Sequence, residues 1–275
     1  VVGVIVPWNF PLNLSLVPLT SIFAAGNRAL VKMSENSRRL AQLLIERMPA
    51  YFPPEKLQFF DETGGVGVEF ARLPFDHLLF TGSGQTGRAV MASAAKNLTP
   101  VTLELGGKSP AVVAPDYPLE KAVERILFAK LFNAGQICIT TDYVFVHETQ
   151  VQRFVELCQE WSKKHCPDIN NADYTSIIDQ RSFDRLQAAL EDARVKGAEL
   201  VDLSGGQAAK RDQRKFPPHL VLNASEDMDV ITREIFGPIM PMFYDENNTL
   251  KSYVWAHPWH PSPAVSMDLK DIYCL

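Results

Sequence analysis

The sequence lacks the features that mark secreted scaffolds and membrane-spanning proteins. Its four cysteines, at positions 138, 158, 166 and 274, have neither the density of a small disulfide scaffold nor a C-x-x-C spacing, which favours a reducing compartment. The apolar runs 1–8 and 16–25 are too short to cross a bilayer, and no charged segment precedes the first of them as a signal peptide requires. We therefore expect a cytoplasmic protein with no membrane partner.

The sequence also lacks a strong charge of one sign and a metal-binding pattern. Its net charge is −5 without a long single-sign block, which argues against nucleic acid as a partner. Of the six histidines, only His257 and His260 have a spacing that suits a metal, and they lie in a proline-rich tail, so we expect no metal site. A G-x-S-x-G elbow is missing, so serine hydrolysis has no support.

The apolar pattern predicts an α/β protein. At 275 residues, the length favours about two domains. Up to residue 104, short apolar runs alternate with helical patterns, which is typical of crossover units in a parallel sheet buried on both faces. The predicted strands are 1–6, 29–33, 57–61, 77–81 and 101–104, and the predicted helices are 14–25, 38–48, 66–71 and 85–95.

A second βα region follows Gly106-Gly107 and Ser109-Pro110, which we interpret as the boundary. It has predicted strands at 111–114, 143–147 and near 200, 220 and 242, predicted helices at 119–133, 150–165 and 183–196, and a polar surface loop at 202–215. The predicted domains are therefore 1–106 and 107–250. In the tail 251–275 proline recurs every few residues, so neither a helix nor a central strand is expected there.

The segment from Gly82 to Gly87 matches G-x-G-x-x-G and lies between a predicted strand and a predicted helix, as the dinucleotide-binding fingerprint requires. In that fingerprint, backbone N–H groups at a helix N-terminus meet phosphate. Glu104 even falls about 20 residues further on, where the ribose-binding acid would stand. However, the motif follows the fourth predicted strand, and glycines also serve ordinary strand-to-helix turns. The pattern alone leaves both interpretations open.

Cys138 and Glu104 are the groups that oxidation through a thioester requires. Cys138 follows a Gly-Gln turn, and Glu104 ends a predicted buried strand, so the chain offers a soft nucleophile and a base that can activate water. Cysteine is also a common small core residue, and Glu104 could instead pair with a buried cation. Asn9, between two prolines, is either a turn residue or an amide donor to an oxyanion.

Six segments, in the same order along the chain, resemble motifs of the aldehyde dehydrogenase superfamily. They are Pro7-Trp8-Asn9-Phe10-Pro11, Lys32-Met33-Ser34-Glu35, Phe80-Thr81-Gly82-Ser83, Glu104-Leu105-Gly106-Gly107-Lys108, Gly135-Gln136-Ile137-Cys138 and Glu234-Ile235-Phe236-Gly237-Pro238. The runs 97–103 and 132–135 resemble the coniferyl-aldehyde dehydrogenase branch in particular. The resemblance extends to about Asn248.

The resemblance implies a Rossmann-like NAD-binding domain at 1–106 and an α/β catalytic domain after it. It makes Cys138 the nucleophile, Glu104 the base and Asn9 part of the oxyanion hole, in an enzyme that oxidises a small aldehyde to a carboxylic acid with NAD or NADP; the coniferyl branch implies an aromatic aldehyde. The implied cofactor-binding residues are Trp8, Lys32, Glu35, Gly82, Ser83, Gly87, Glu234 and Phe236. The carboxylate of Glu35 beside the ribose favours NAD over NADP. The resemblance also implies a parent enzyme that is a dimer or tetramer.

The chain departs from the family pattern at both ends. It begins with Val1 rather than Met and lacks the family's helical N-terminal segment, and after Asn248 it does not continue into the family's Arg-Pro-Arg-Pro-Leu-Ala-like strand. We therefore expect a fragment or a shifted reading frame. Three hypotheses follow: an aldehyde dehydrogenase with incomplete ends, an inactive nucleotide-binding remnant, and a non-enzymatic binding module.

Overall fold

The computed structural model describes residues 1–208 and 210–245 and confirms the predicted α/β class. The chain divides into two compact units, Val1–Gly106 and Gly107–Leu275. The predicted tail 251–275, with Cys274, His257 and His260, lies outside the described residues. Among the helices that are described, none has the length and apolar character needed to cross a membrane.

The first unit contains a parallel sheet of five strands in the order β3-β2-β1-β4-β5. The order reverses between β1 and β4, and in open α/β sheets such a reversal marks the crevice where ligands bind. The strands are β1 Val2–Ile5, β2 Ala29–Lys32, β3 Leu57–Phe60, β4 His77–Gly82 and β5 Val101–Leu105, and the helices are α1 Pro11–Ala24, α2 Arg38–Arg47, α3 Val66–Phe70 and α4 Gly84–Ala94.

The prediction that the strand bearing Glu104 is buried on both faces is wrong. Among the residues that the structure describes, β5 is the edge strand of the sheet and pairs only with β4. Its side chains alternate: Leu103 and Leu105 pack partly buried against the core of the unit, whereas Thr102 and Glu104 are exposed. Because side chains on a strand alternate between faces, this pattern gives Glu104 access to water.

In the described part of the second unit, residues 107–208 and 210–245, the strands follow the order β6-β7-β10-β9-β8, and the β8–β9 pair is antiparallel while the others are parallel. The strands are β6 Ser109–Val112, β7 Thr141–His147, β8 Glu199–Asp202, β9 His219–Leu222 and β10 Ile239–Asp245. The helices are α5 Leu119–Leu131, α6 Val151–His165, α7 Gln180–Val195 and α8 Asp229–Thr232.

Three details of the second unit differ from the sequence-based predictions. Ser109 and Pro110 lie inside β6 rather than in a linker. The four-residue helix α8 was not predicted, since it is too short to show a periodic pattern. The loop 202–215 is not wholly on the surface, because the Lys215 ammonium is buried and donates to the carbonyl oxygens of Asn171 and Tyr174.

Neighbouring leucines on α2 provide a matched test of the core of the first unit. Leu44 is 4% exposed within the core, whereas Leu43 is 49% exposed. We expect Leu44→Ala to lower the free energy of unfolding by about 2–5 kcal/mol, because it removes buried apolar surface and leaves a cavity. Leu43→Ala should change it by less than about 0.5 kcal/mol. Urea unfolding of both variants measures the difference, and equal losses would contradict the packing of α2.

Candidate active site

In the first unit, the predicted site residues gather at the carboxyl ends of parallel strands. Trp8 and Asn9 follow β1, Lys32 ends β2 and Gly82 ends β4. The pairing of Ile5 with both Lys32 and Phe80 puts these strand ends side by side. This is the edge at which α/β sheets place ligands.

The glycine-rich turn between β4 and α4 has the local structure that the motif predicted. Ser83 caps α4, and its Oγ accepts the N–H of Thr86 at 3.2 Å. A Cβ at Gly87 would lie 2.9 Å from Leu105 Cδ2, so this glycine allows α4 to pack closely against β5. Close helix–strand packing is the role of the last glycine of the dinucleotide fingerprint, and the first turn of a helix presents N–H groups to anions.

Lys32 is buried and forms an ion pair with Glu62, which lies two residues beyond β3. Glu35 is exposed in the short turn that follows β2, and its carboxylate accepts the hydroxyl of Ser34 at 3.1 Å. Sequence analysis did not single out Glu62. The signal that could have found it is the parallel pairing of β2 and β3, which puts residues after β3 beside the end of β2.

In the second unit, an unusual backbone precedes the Cys138 thiol. The sequence predicted a helix to residue 133, but α5 ends at Leu131. Three consecutive residues then have positive φ, namely Asn133 at 52°, Ala134 at 52° and Gly135 at 72°. This left-handed region is unfavourable for residues other than glycine, particularly alanine, so the surrounding structure must hold the loop in place.

The side chain of Gln136 provides much of that support. Its amide nitrogen donates to the carbonyl oxygens of Asn133 at 3.0 Å and Ser176 at 3.2 Å, and its oxygen accepts the N–H of Ile178 at 2.9 Å. On the other side of Cys138, the hydroxyl of Thr140 donates to the carbonyl oxygen of Ala129 at 2.9 Å. The loop is therefore tied to its surroundings on both sides of the thiol.

Gly135 also brings the thiol loop against the segment that contains Glu234 and Phe236. A Cβ at Gly135 would lie 2.4 Å from the carbonyl oxygen of Gly237, so only glycine allows this contact. Phe236 itself has a positive φ of 48°, a second strained position beside the loop. The loop that precedes Cys138 therefore packs against the segment that carries two other predicted site residues of the second unit.

A buried ion pair between Lys108 and Asp142 fixes the same segment. The Lys108 ammonium also donates to the carbonyl oxygens of Val230 at 3.1 Å and Arg233 at 2.9 Å. The second oxygen of Asp142 accepts the N–H of Ile235 at 3.1 Å. The family motif that contains Lys108 predicts no role for this residue, and no sequence pattern indicates one for Asp142.

Glu234 is partly buried in this charged surrounding, and its carboxylate accepts the N–H of Gly107 at 3.3 Å. Burial, reinforced by the carboxylate of Asp142, raises the pKa of Glu234 to about 7, against the opposing effects of the Gly107 N–H, Arg185 and Lys108. Arg185 donates to the carbonyl oxygen of Ile235 at 2.7 Å. The carboxyl group therefore changes charge near neutral pH.

Lys130 is a further buried cation that sequence analysis missed. It is 1% exposed, and within the described residues its Nζ has no hydrogen-bond partner. Burial lowers the pKa of Lys130 to about 8, and the carboxylate of Asp142 opposes this shift. The signal was in the sequence, because Lys130 lies four residues after Ile126 on the apolar stripe of α5.

Cys138 is half-buried in a turn, and two further cysteines, Cys158 and Cys166, lie within the described residues. Cys158 is fully buried in α6, and burial raises the pKa of its thiol, in agreement with the expected core role. Cys166 is half-buried after the end of α6, and burial raises the pKa of its thiol as well. Both shifts disfavour the nucleophilic thiolate.

The raised pKa of Glu234 predicts a pH dependence of stability. In the window from about pH 4.5 to 7 the folded state binds more protons at this group than the unfolded chain, so the free energy of unfolding should fall as pH rises. We expect Glu234→Gln to remove that part of the fall, while Glu124→Gln, at an exposed position on α5, keeps it. Urea midpoints from pH 5 to pH 8 test this. A Glu234→Gln profile parallel to that of the unchanged chain would contradict it.

Comparison with known proteins matches this arrangement to one family. A family model described as "Aldehyde dehydrogenase family" matches residues 1–249. A probable coniferyl aldehyde dehydrogenase of Pseudomonas aeruginosa is 48% identical over 94% of this chain and 54% of its own length. The coniferyl aldehyde dehydrogenase of a Pseudomonas sp. is 44% identical over 88% of this chain and 51% of its own length. The chain therefore spans about half the length of the curated relatives it matches.

Solved structures of aldehyde dehydrogenases also match this chain. AldH of Staphylococcus aureus, in a substrate-bound state, matches with a TM-score of 0.82 and 30% identity, over 93% of this chain and 55% of that one. An aldehyde dehydrogenase of Mycobacterium tuberculosis, complexed with NAD⁺, matches with a TM-score of 0.80 and 26% identity, over 90% of this chain and 52% of that one.

Proposed function

Because the chain belongs to the aldehyde dehydrogenase family, we propose that its parent protein oxidises an aldehyde to a carboxylic acid with a nicotinamide dinucleotide as hydride acceptor. The observation that carries this proposal is the strained loop before the half-buried Cys138, which packs through Gly135 against the segment that contains Glu234 and Phe236. Strain of this kind concentrates at functional sites. In this proposal, residues 1–106 bind the cofactor and residues 107–250 carry the nucleophile.

Cys138 is the proposed nucleophile. Its sulfur attacks the aldehyde carbon, and the amide of Asn9 and the backbone N–H of Cys138 donate to the oxygen that becomes negatively charged. A bound nicotinamide would supply the acceptor for the hydride that leaves the former aldehyde carbon, and Cys138 would then carry the acyl group as a thioester. Since the loop fixes the backbone on both sides of Cys138, the thiol needs little reorganisation before it attacks.

Glu104 is the proposed base for the second half of the reaction. Its carboxylate takes a proton from the water that attacks the thioester carbonyl, and the thiol of Cys138 is regenerated as the acid leaves. The exposure of Glu104 on the edge strand β5 supports this role, because a base that activates water must be reached by water.

The residues of the first unit fit a dinucleotide. The turn at Gly82 and Ser83 and the close packing at Gly87 suit a pyrophosphate at the start of α4, and Lys32 and Glu35 would bind the adenosine ribose. Trp8 follows the first strand at the same edge of the sheet. In the second unit, Glu234 and Phe236 would position the nicotinamide half. The exposed carboxylate of Glu35 disfavours a 2′-phosphate, so we propose NAD as the preferred cofactor.

The proposed substrate is an aromatic aldehyde of the coniferyl type. The names of the two Pseudomonas relatives support this, since both refer to coniferyl aldehyde. The proposed parent enzyme is a homo-oligomer that resides in the cytoplasm. A nucleotide-binding protein without aldehyde-oxidising activity is the alternative.

Glu104→Gln tests the base. We expect stoichiometric NADH release followed by arrest, and a covalent adduct on Cys138 whose mass is that of the aldehyde less two hydrogens, because the thioester forms but water is not activated. Intact-protein mass spectrometry detects the adduct. Glu46→Gln, at an exposed position on α2, should turn over like the unchanged protein. Unimpaired steady turnover by Glu104→Gln would contradict the role of Glu104.

NADH production on a panel of aromatic and aliphatic aldehydes tests the reaction itself. The panel should be run on this chain and on a version with complete ends, each with a Cys138→Ser counterpart. We expect Cys138→Ser to lower kcat/KM by at least about 1000-fold, because a serine hydroxyl without an adjacent base is a poor nucleophile. NAD binding without NADH production by either version would favour the remnant, and turnover by Cys138→Ser at the original rate would exclude the thioester route.

A further inference from the structure

The end of β2 carries an ion pair that the proposed reaction does not use. The Lys32 ammonium pairs with the Glu62 carboxylate, whose side chain is 26% exposed while that of Lys32 is 8% exposed. The register, in which Lys32 pairs with Phe60, places the residues after β3 next to the end of β2. The pair therefore lies at the carboxyl ends of the parallel strands, as do the other predicted cofactor-binding groups of the first unit.

The start of α3 is built around this pair. The N–H of Gly67 donates to the Glu62 carboxylate at 3.2 Å. A Cβ at Gly67 would lie 2.8 Å from Glu62 Oε2 and 3.1 Å from Lys32 Nζ, so a larger residue would displace one of the two side chains. Glu62 is thus held in position by a backbone N–H and by the cation, rather than pointing freely into solvent.

We propose that Glu62 is a specificity-determining residue that disfavours a dinucleotide with a 2′-phosphate. The inference rests on the proposed function, in which Lys32 binds the adenosine ribose. A lysine beside the ribose would attract a 2′-phosphate, since a lysine ammonium is a compact point charge that binds phosphate well. Glu62 pairs with that ammonium and offsets its positive charge, while the other N–H donors of Lys32 remain for the ribose.

The other carboxylates around Lys32 also disfavour a dinucleotide with a 2′-phosphate. Glu35 and Asp61 add two carboxylates near the ends of β2 and β3, and the carboxylate of Asp61 is stabilised by the N–H of Thr63 at 3.0 Å. Arg38 at the start of α2 is the opposing cation, and it contributes to lowering the pKa of Asp61. With Glu62 present, the carboxylates outnumber the cations in this set; without it, the two signs balance. A phosphate of nearly two negative charges responds to that difference far more than a hydroxyl group does.

The test is cofactor affinity, measured on the full chain without any turnover. Dissociation constants for NAD and for NADP, from quenching of protein fluorescence or from calorimetry, should be compared for the unchanged chain and for Glu62→Gln, which removes the charge but keeps an acceptor for Gly67. We expect the ratio Kd(NADP)/Kd(NAD) to fall about tenfold in Glu62→Gln. The shift should shrink at high salt, because salt screens exposed charges.

Glu69→Gln is the matched control. It removes the same charge from the neighbouring helix α3, where Glu69 pairs with the exposed Arg72 rather than with Lys32. Its ratio should equal that of the unchanged chain. Glu62→Ser replaces Glu62→Gln if thermal unfolding shows that the glutamine variant does not fold.

The outcomes separate this inference from the proposed function. An unchanged ratio in a folded Glu62 variant that still binds NAD would overturn the role of Glu62 and leave the proposed cofactor site intact. An equal fall in Glu69→Gln would show a general charge effect and would also overturn it. If the unchanged chain binds neither dinucleotide, the proposed function of the first unit fails, and this inference fails with it.

Discussion

The buried ion pair of Lys108 and Asp142 is the constraint on which the second unit depends. Moving two charges out of water costs several kcal/mol for each, and the loss is recovered only where further hydrogen bonds satisfy both groups. Here Lys108 donates to two carbonyl oxygens of the segment 230–233, and Asp142 accepts the N–H of Ile235. The pair therefore determines where the segment of Glu234 and Phe236 lies relative to β6 and β7. Arg185 holds the same segment from α7.

Three further buried or partly buried charges depend on this arrangement. Glu234, Lys130 and Arg185 each have a pKa shifted by burial towards the neutral form. Asp142 acts on all three: its carboxylate raises the pKa of the acid and opposes the lowering for the two cations. The Asp142 carboxylate thus influences the pKa of three ionisable groups besides its ion-pair partner Lys108. A substitution at Asp142 should therefore shift the pKa values of Glu234, Lys130 and Arg185 as well.

Much of the fold could be predicted, because short apolar runs separated by glycine and proline are a direct consequence of strands buried in a parallel sheet. The end of α5 could not, since Phe132 and Asn133 continue the helical pattern, whereas the loop is held by long-range contacts of Gly135 with Gly237 and of Gln136 with residues 176 and 178. The exposure of Glu104 was missed for a related reason. The sequence of β5 does not reveal that, within the described part of the chain, it has a neighbouring strand on one side only.

The left-handed backbone at residues 133–135 restricts which residue types can occupy these three positions. A side chain branched at Cβ is poorly compatible with a left-handed backbone, and at position 135 any side chain would collide with the carbonyl oxygen of Gly237. Phe132, half exposed just before the loop, has no such restriction. Natural variation should therefore accumulate at 132, remain confined to small or amide residues at 133 and 134, and keep glycine at 135. A library randomised across 132–135 would return one permissive position followed by three restricted ones.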